Sequence, residues 1–288
     1  MPKKVLTYGF FPGCAYATAA GYRESVDAVN RRLGIDLVEL ADWNCCGATS
    51  AFSLNQEDAL ILTGRLFALA EAQGHAQIVT VCNACYTTLR KAAQMLEQGS
   101  PDLARVNAGL AREGLRLGRL LPVRHYLEIL YADVPAEAWS AARPEYIGRI
   151  KVAAYYGCQL TRPWADLDHA ERPALLDRFF RRLGFQAVEH SARTICCGAS
   201  HALPYEKECR PMLRRIVEEA RRRGAHLIST LCPLCQFNLD SLQTLPDAPP
   251  IPVPYFSQLA GLALGIPPQK LGFGKLLIPA ESAIAKVV

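Results

Sequence analysis

The feature that most constrains this chain is a spacing of five cysteines that occurs twice. In each copy a single cysteine is followed by a Cys-Cys-Gly triplet and then by a Cys-x-x-Cys pair. The first set consists of Cys14, Cys45, Cys46, Cys82 and Cys85, and the second of Cys158, Cys196, Cys197, Cys232 and Cys235. A fold for this chain must therefore bring five thiols together at each of two places.

The segments between the cysteines predict strands that alternate with helices. In the first half we predict strands at 5–10, 35–40 and 77–81, and helices at 15–33, 56–73 and 83–98. This order implies an α/β fold with a parallel sheet, in which functional loops follow the carboxyl ends of the strands. The cysteines fall on those loops or at the helix starts beside them.

The two halves of the chain also resemble each other outside the cysteines. KVAAYYGC at 151–158 parallels LTYGFFPGC at 6–14, and RRLGFQAVEH at 181–190 parallels RRLGIDLVEL at 31–40. Such a long period indicates duplication of a module and not a solenoid. We predict two pseudo-symmetric CCG modules, residues 1–142 with bridging helices and residues 143–288 with a C-terminal extension. Each is a small Rossmann-like parallel sheet with flanking helices.

Composition indicates the cellular compartment, and with it the kind of chemistry expected of the cysteines. Half of the 288 residues are hydrophobic, but no apolar run approaches the ~20 residues of a membrane helix. The N-terminus lacks the pattern of a signal peptide. We therefore expect a cytoplasmic chain with no integral membrane segment, where thiols serve metal binding or catalysis more often than disulfides. A net charge of +5 is too small and dispersed to predict nucleic-acid binding.

The number of cysteines in each set, five, can be compared with the number of thiolates that known metal sites take. Structural zinc takes four thiolates and usually pairs two Cys-x-x-Cys motifs, whereas each half has one. A cubane cluster also takes four, which leaves a fifth unexplained. Adjacent cysteines that bind adjacent irons favour an iron–sulfur cluster with extra or bridging thiolates; zinc and disulfides stay as alternatives. Thioredoxin-like exchange at Cys-x-x-Cys explains two sets of five poorly.

The sequence lacks the usual motifs of electron carriers. No strand is followed by a Gly-rich dinucleotide fingerprint, so we expect neither FAD nor NAD in this chain. The cysteine run of a ferredoxin is absent as well. Electrons must therefore reach or leave an iron–sulfur site in this chain through another subunit.

Several residues outside the ten cysteines are candidates for supporting roles. Cys209 is predicted to be a buried, inert thiol. Histidine titrates near neutral pH, so His201 can donate a proton to a product thiolate, although a plain loop histidine fits the sequence equally well. Gly47 and Gly198 follow the paired cysteines, where the backbone must turn sharply. Trp43 and Tyr156 lie beside cysteine positions and pack either over a cluster or in the core.

Five segments carry a specific family resemblance. They are WNCCGATS at 43–50, CNACYTTL at 82–89, ICCGASH at 195–201, CPLCQFNLD at 232–240 and YFSQLAGLALG at 255–265. Over nearly its whole length the chain resembles the B subunit of heterodisulfide reductase, of the kind with two CCG domains. The resemblance implies that each set of five cysteines holds a noncubane [4Fe-4S] cluster. It also implies that a disulfide held between the two clusters is interconverted with two thiols by one-electron steps.

The resemblance names partners and leaves the substrate open. The partners are a small ferredoxin-like subunit and a flavin-bearing subunit of the same complex. Methanogen members act on the coenzyme M–coenzyme B heterodisulfide, while bacterial relatives are associated with sulfur oxidation and carrier-bound sulfur, or with electron bifurcation. The Ala- and Arg-rich composition suggests a GC-rich genome and so favours a bacterial complex, but it says nothing about the chemistry. The sulfur-oxidation type is one bacterial kind that the resemblance allows. The alternative is a non-catalytic electron-transfer or docking CCG subunit of another respiratory complex, such as succinate dehydrogenase.

Overall fold

A computed structural model of the chain describes residues 5–48, 50–97, 99–163, 167–243 and 249–285. The strands within them are β1 Leu6–Phe11, β2 Ile35–Glu39, β3 Ile78–Thr80, β4 Val123–His125, β5 Lys151–Tyr155, β6 Gln186–Val188 and β7 Leu227–Thr230. The helices are α1 Gly13–Thr18, α2 Tyr22–Leu33, α3 Ala51–Leu54, α4 Gln56–Ala72, α5 Asn83–Met95, α6 Pro101–Leu110, α7 Tyr126–Ala132, α8 Leu175–Leu183, α9 Glu206–Arg222, α10 Pro233–Ser241, α11 Phe256–Ala263 and α12 Glu281–Ala285.

The described residues group into two compact units. Unit 1 comprises the described residues up to Ala17 together with Gly34–Ile129, and unit 2 comprises Thr18–Leu33 together with the described residues from Leu130 onward. The first cysteine set lies entirely in unit 1 and the second entirely in unit 2. The domain boundary expected between residues 142 and 143 stays a prediction.

The sheet of unit 1 is parallel, with the strand order β2-β1-β3-β4. Its two inner strands, β1 and β3, are buried over most or all of their length, as expected for parallel strands that are covered on both faces. Helix α4 starts sharply because the side chain of Asn55 accepts hydrogen bonds from the backbone N–H groups of Glu57 and Asp58. The predicted α/β architecture is therefore confirmed for the first half.

The sheet of unit 2 is also parallel, with the order β6-β5-β7. Helix α9 covers it with Leu213, Ile216 and Val217, which pack in one buried cluster with Ile228 of β7. The matching strand orders place β1 and β5 at equivalent positions, each between the strand that follows it and the next one. Two modules of similar topology follow from this agreement.

The helix predicted over 15–33 is wrong, because the structure has two helices there. Helix α1 ends at Thr18 and α2 begins at Tyr22. Between them Gly21 has a φ of 80°, a left-handed conformation that a continuous right-handed helix cannot contain. Strand β4, which pairs with β3, was not predicted; at three residues it is too short to show a period-two pattern.

Helix α2 belongs to unit 2 although the strands before and after it belong to unit 1. Its first residue, Tyr22, is fully buried and stacks on Tyr255 with the ring centroids 4.1 Å apart. The Tyr22 hydroxyl donates to the carbonyl oxygen of Leu231 at 3.2 Å, and the hydroxyl oxygens of Ser25 and Ser257 lie 2.7 Å apart. The first repeat therefore supplies part of the core of the unit that holds the second cysteine set.

None of the helices in the described part of the chain has the length and apolar character needed to cross a membrane.

Candidate functional site

The first cysteine set lies at the carboxyl edge of the unit 1 sheet. Cys14 is the second residue of α1, which begins two residues after β1 ends. Cys45 and Cys46 lie in the loop between β2 and α3. Cys82 is the N-cap residue of α5, and Cys85 lies in its first turn. This is the placement that the strand pattern predicts.

The second set repeats this arrangement in unit 2. Cys158 follows β5, and Cys196 and Cys197 lie in the loop after β6. Cys232 is the N-cap residue of α10, and Cys235 lies in its first turn. Each set is thus collected from three loops at one edge of a parallel sheet, where ligands of open α/β folds bind.

The sulfurs approach one another in matching pairs. The Sγ atoms of Cys46 and Cys85 are 3.3 Å apart, and those of Cys197 and Cys235, their counterparts, are 3.4 Å apart. All eleven cysteines are free thiols. Close thiols without a disulfide fit a site that takes several thiolates at once.

Each set has a buried part and a more accessible part. The buried thiols are Cys46, Cys82, Cys85, Cys197, Cys232 and Cys235. Cys14 and Cys45 are exposed, while their counterparts Cys158 and Cys196 are half-buried, with their Sγ atoms 3.9 Å apart. The more accessible side of each set is therefore the side of its single cysteine and of the first cysteine in its Cys-Cys-Gly triplet.

Backbone N–H groups point at the sulfurs of the triplets. The N–H of Gly47 donates to Cys45 Sγ at 3.4 Å, and that of Gly198 donates to Cys196 Sγ at 3.3 Å. Both glycines have positive φ, 72° and 90°, which favours glycine at this turn. A hydrogen bond from Cys158 lowers the pKa of the Cys196 thiol to about 6, and the Gly198 N–H acts in the same direction. The hydrogen bond between Cys45 and Cys46 raises the pKa of the Cys45 thiol overall, although the Gly47 N–H acts to lower it. The backbone N–H of each turn therefore acts towards the thiolate, the form that binds metals.

A second glycine pair, Gly13 and Gly157, was missed by sequence reasoning. Both have positive φ, 66° and 68°. A Cβ on Gly13 would lie 2.8 Å from Cys85 Sγ, and one on Gly157 would lie 3.1 Å from Cys235 Sγ. The missing side chains let the loop of the lone cysteine approach the Cys-x-x-Cys helix. The signal was present in the sequence, since glycine directly precedes the lone cysteine in both copies.

A buried network holds the second set's loops together. The N–H groups of Tyr156 and Gly157 donate to the carbonyl oxygen of Arg193, at 2.9 and 3.2 Å. The Arg193 guanidinium lies 3.4 Å from Asp177 Oδ2, and the Tyr156 hydroxyl donates to the same oxygen at 2.6 Å. Burial raises the pKa of the Asp177 carboxyl, while the hydrogen bond from Tyr156 and the charge of Arg193 oppose this shift. Tyr156 thus supports the loop that carries Cys158.

The first set has a different support, which sequence reasoning also missed. Arg65 of α4 donates to the Asp42 carbonyl oxygen at 2.6 Å and to Asn44 Oδ1 at 3.2 Å, so it fixes the loop just before Cys45. Trp43 meets Phe11 edge-on with ring centroids 5.7 Å apart. Its aromatic ring therefore packs beside the end of β1, and Trp43 itself is half-buried.

Two further candidates lie near the second triplet. His201 is exposed and ends the short 3-10 helix Ala199–His201, with its ring 5.7 Å from that of Tyr205. Its charge contributes to the lowered pKa of the Cys196 thiol, after the hydrogen bond from Cys158. Cys209 is buried, as predicted, and its Sγ lies 2.6 Å from the place that a Cβ on Gly198 would occupy. It packs against the turn and lies outside both sets.

In the described part of the chain, no three His, Cys, Asp or Glu side chains are arranged around a point where one metal ion could bind. The sulfurs are arranged as close pairs with backbone donors, distributed over three loops per unit. That the ten cysteines of the two sets are the ligands of a multi-iron group stays a prediction.

Comparisons with known proteins identify the family of the chain. The family model for the CCG cysteine-rich domain matches residues 8–90 and 152–240, one copy in each half. The B subunit of the ferredoxin/F(420)H(2)-dependent CoB-CoM heterodisulfide reductase from Methanosarcina acetivorans is 30% identical, over 96% of this chain and 95% of that protein. The chain belongs to the family of heterodisulfide reductase B subunits. The family resemblance stated from the sequence is thereby confirmed.

A further relative comes from a different kind of complex. An 8-methylmenaquinol:fumarate reductase membrane anchor subunit from Wolinella succinogenes is 34% identical, over 95% of this chain and 97% of that protein. Among solved structures, a hypothetical protein from Helicobacter pylori aligns with a TM-score of 0.73 at 16% identity, covering 96% of this chain. This chain spans about half of that protein, 52% of its length, and the likeness shows the fold alone.

Proposed function

We propose that this chain is the catalytic iron–sulfur subunit of a heterodisulfide-reductase-like complex. The reaction is R–S–S–R′ + 2 e⁻ + 2 H⁺ ⇌ RSH + R′SH, run in one-electron steps. The observation that supports it most directly is that both units keep all five cysteines, with matching sulfur pairs Cys46–Cys85 and Cys197–Cys235. A redox subunit of an oxidoreductase complex is the coarser statement that the heterodisulfide reductase relatives support.

Each set would hold one [4Fe-4S] cluster, of the noncubane type that the family resemblance implies. Cys14, Cys45, Cys46, Cys82 and Cys85 would hold the first, and Cys158, Cys196, Cys197, Cys232 and Cys235 the second. The clusters would supply electrons one at a time. The free thiols fit such a group as ligands, and the N–H groups of Gly47 and Gly198 fit it because each donates to a sulfur and acts to lower the pKa of that thiol.

The protein's own residues would divide the remaining work. The buried cysteines would keep water from the inner side of each set, while Cys14 and Cys45 leave the first set open to a sulfur substrate. His201, exposed beside the second triplet, would donate a proton to a product thiolate. We expect a disulfide or thiol substrate, free or carrier-bound, and electron exchange with a ferredoxin-like subunit and a flavin-bearing subunit. We place this complex in the cytoplasm.

A second candidate is a non-catalytic electron-transfer or docking subunit of another respiratory complex. The similarity to the fumarate reductase membrane anchor subunit, 34% over nearly the whole chain, favours it. The chain would then bind a membrane or a membrane partner and pass electrons without meeting a disulfide.

Metal analysis of protein purified without oxygen tests the assumption that both candidate functions share, namely that the chain holds iron–sulfur clusters. About eight irons per chain are expected if two four-iron clusters are present. Zinc in stoichiometric amount without iron would overturn the iron–sulfur assignment, and with it both candidates.

A flotation assay separates the two candidates. Purified, iron-loaded chain is mixed with vesicles of neutral lipid and, in parallel, with vesicles that contain anionic lipid. For the catalytic subunit we expect the protein to stay at the bottom of the gradient with both. Robust flotation without any partner subunit would favour the docking role instead.

A further inference from the structure

Asn238 connects the helix of the second Cys-x-x-Cys motif to the second triplet. It lies in α10, three residues after Cys235, and only 2% of it is exposed. Its Nδ2 atom donates to the carbonyl oxygens of Ala199 at 2.9 Å and Cys197 at 3.2 Å. The same nitrogen lies 3.5 Å from Cys197 Sγ, within reach of a hydrogen bond to sulfur.

The orientation of this amide follows from its neighbours. The oxygen and nitrogen of an Asn side chain are assigned from the hydrogen-bond network. Two carbonyl oxygens face the Asn238 amide, and carbonyl oxygens only accept hydrogen bonds. The NH₂ group must therefore point towards them, and it is a donor, not an acceptor, that lies against Cys197 Sγ.

This side-chain donor distinguishes the second set from the first. The backbone donors are alike, since Gly47 and Gly198 make equivalent hydrogen bonds. Thr88 holds the matching place, three residues after Cys85. It is buried, and in the described part of the chain its side chain makes no hydrogen bond to Cys46. At this position, therefore, the second set has a buried side-chain amide against its triplet where the first set has a threonine.

A donor at a cluster sulfur acts on the cluster's charge. Adding an electron makes a cluster more negative, and hydrogen bonds to negatively charged acceptors are the stronger ones. Hydrogen bonds to the sulfurs are among the factors that set the reduction potential of iron–sulfur clusters. We propose that Asn238 is a positioning residue whose amide raises the reduction potential of the cluster held by the second set. This proposal rests on the proposed function and adds that the two clusters accept electrons unequally.

The inequality matters for a two-electron reaction. If the two sets were equivalent, a single electron would have no preferred place. An amide at residue 238, with a threonine at the matching residue 88, would favour the second cluster for the first electron and so give the two one-electron steps an order.

The test is a redox titration of the full-length, iron-loaded chain, in which electron paramagnetic resonance monitors each cluster signal. Signals are assigned to the two sets by their loss in Cys45→Ala and Cys196→Ala. In Asn238→Thr, which copies the first set, we expect the second signal's midpoint to become more negative. A tenfold change in the one-electron equilibrium constant, which is about 59 mV, is the expected size. The first signal should not move.

The matched variant is Thr88→Asn, which copies the second set into the first. Its expected effect is opposite in sign and confined to the first signal. Asn238→Thr could lose iron because two buried carbonyl oxygens lose their donor. In that case the midpoint of the first signal in Thr88→Asn is the deciding measurement. Unmoved midpoints in the iron-replete variants would overturn the role of Asn238 and leave the proposed function intact. A wild-type chain without iron would instead overturn the proposed function itself.

Discussion

Replacing Cys45 with alanine is expected to remove about half of the bound iron, about four of about eight atoms per chain. The reason is that all five cysteines of the first set lie in unit 1 and all five of the second in unit 2. Cys196→Ala should remove the other half and leave the first set's signal unchanged. Iron analysis and electron paramagnetic resonance on anaerobically purified protein measure both effects.

Cys209→Ala provides the matched control. It also removes a buried thiol close to a triplet, but this thiol packs against Gly198 and belongs to neither set. All the iron should remain. If Cys45→Ala or Cys196→Ala kept both signals, the replaced cysteine would not be a ligand. If either variant lost both signals, the two sets would not be independent.

Tyr22→Ala is expected to lower the free energy of unfolding by about 3–5 kcal/mol, the usual cost of replacing a large buried aromatic side chain by alanine. Tyr22 is fully buried and stacks on Tyr255. Its hydroxyl also holds the carbonyl of Leu231, the residue before Cys232. The second set should therefore be disturbed first, although Tyr22 stands in the first repeat of the sequence.

Tyr22→Phe separates packing from hydrogen bonding. It keeps the stacked ring and removes the hydroxyl that donates to Leu231, so we expect a loss of about 1 kcal/mol. Urea unfolding measures both variants, and the two iron–sulfur signals report which set suffers. Loss of the first signal with retention of the second in Tyr22→Ala would contradict the assignment of α2 to unit 2.

Much of the fold could be predicted from local pattern. The strands β1 and β3 are mostly apolar runs, and helix α4 has the predicted start at Gln56. The destination of α2 could not be predicted in this way. The spacing of Tyr22, Val26 and Val29 indicates one buried face, but periodicity does not name the surface that covers it. Here that surface includes α11, more than two hundred residues away.

The candidate site, too, was predictable only in part. The ten cysteines could be chosen as candidate ligands from the sequence because their spacing repeats. The residues that support them do not repeat: Arg65 serves the first triplet from α4, whereas Arg193 serves the second from within its own loop. Asn238 likewise has a threonine as its counterpart. Support of this kind depends on contacts between distant segments, and a spacing pattern carries no information about them.

The position of α2 also affects whether the chain could be divided into two separate polypeptides, one for each repeat. A break between the two repeats, even at a loop that both modules would tolerate, would separate Tyr22 and Ser25 from Tyr255 and Ser257 and put them on different polypeptides. The second fragment would then have to recruit a helix from the first before its own core was complete. Helix α2 thus makes the second module depend on residues of the first repeat, although each module carries its own five cysteines.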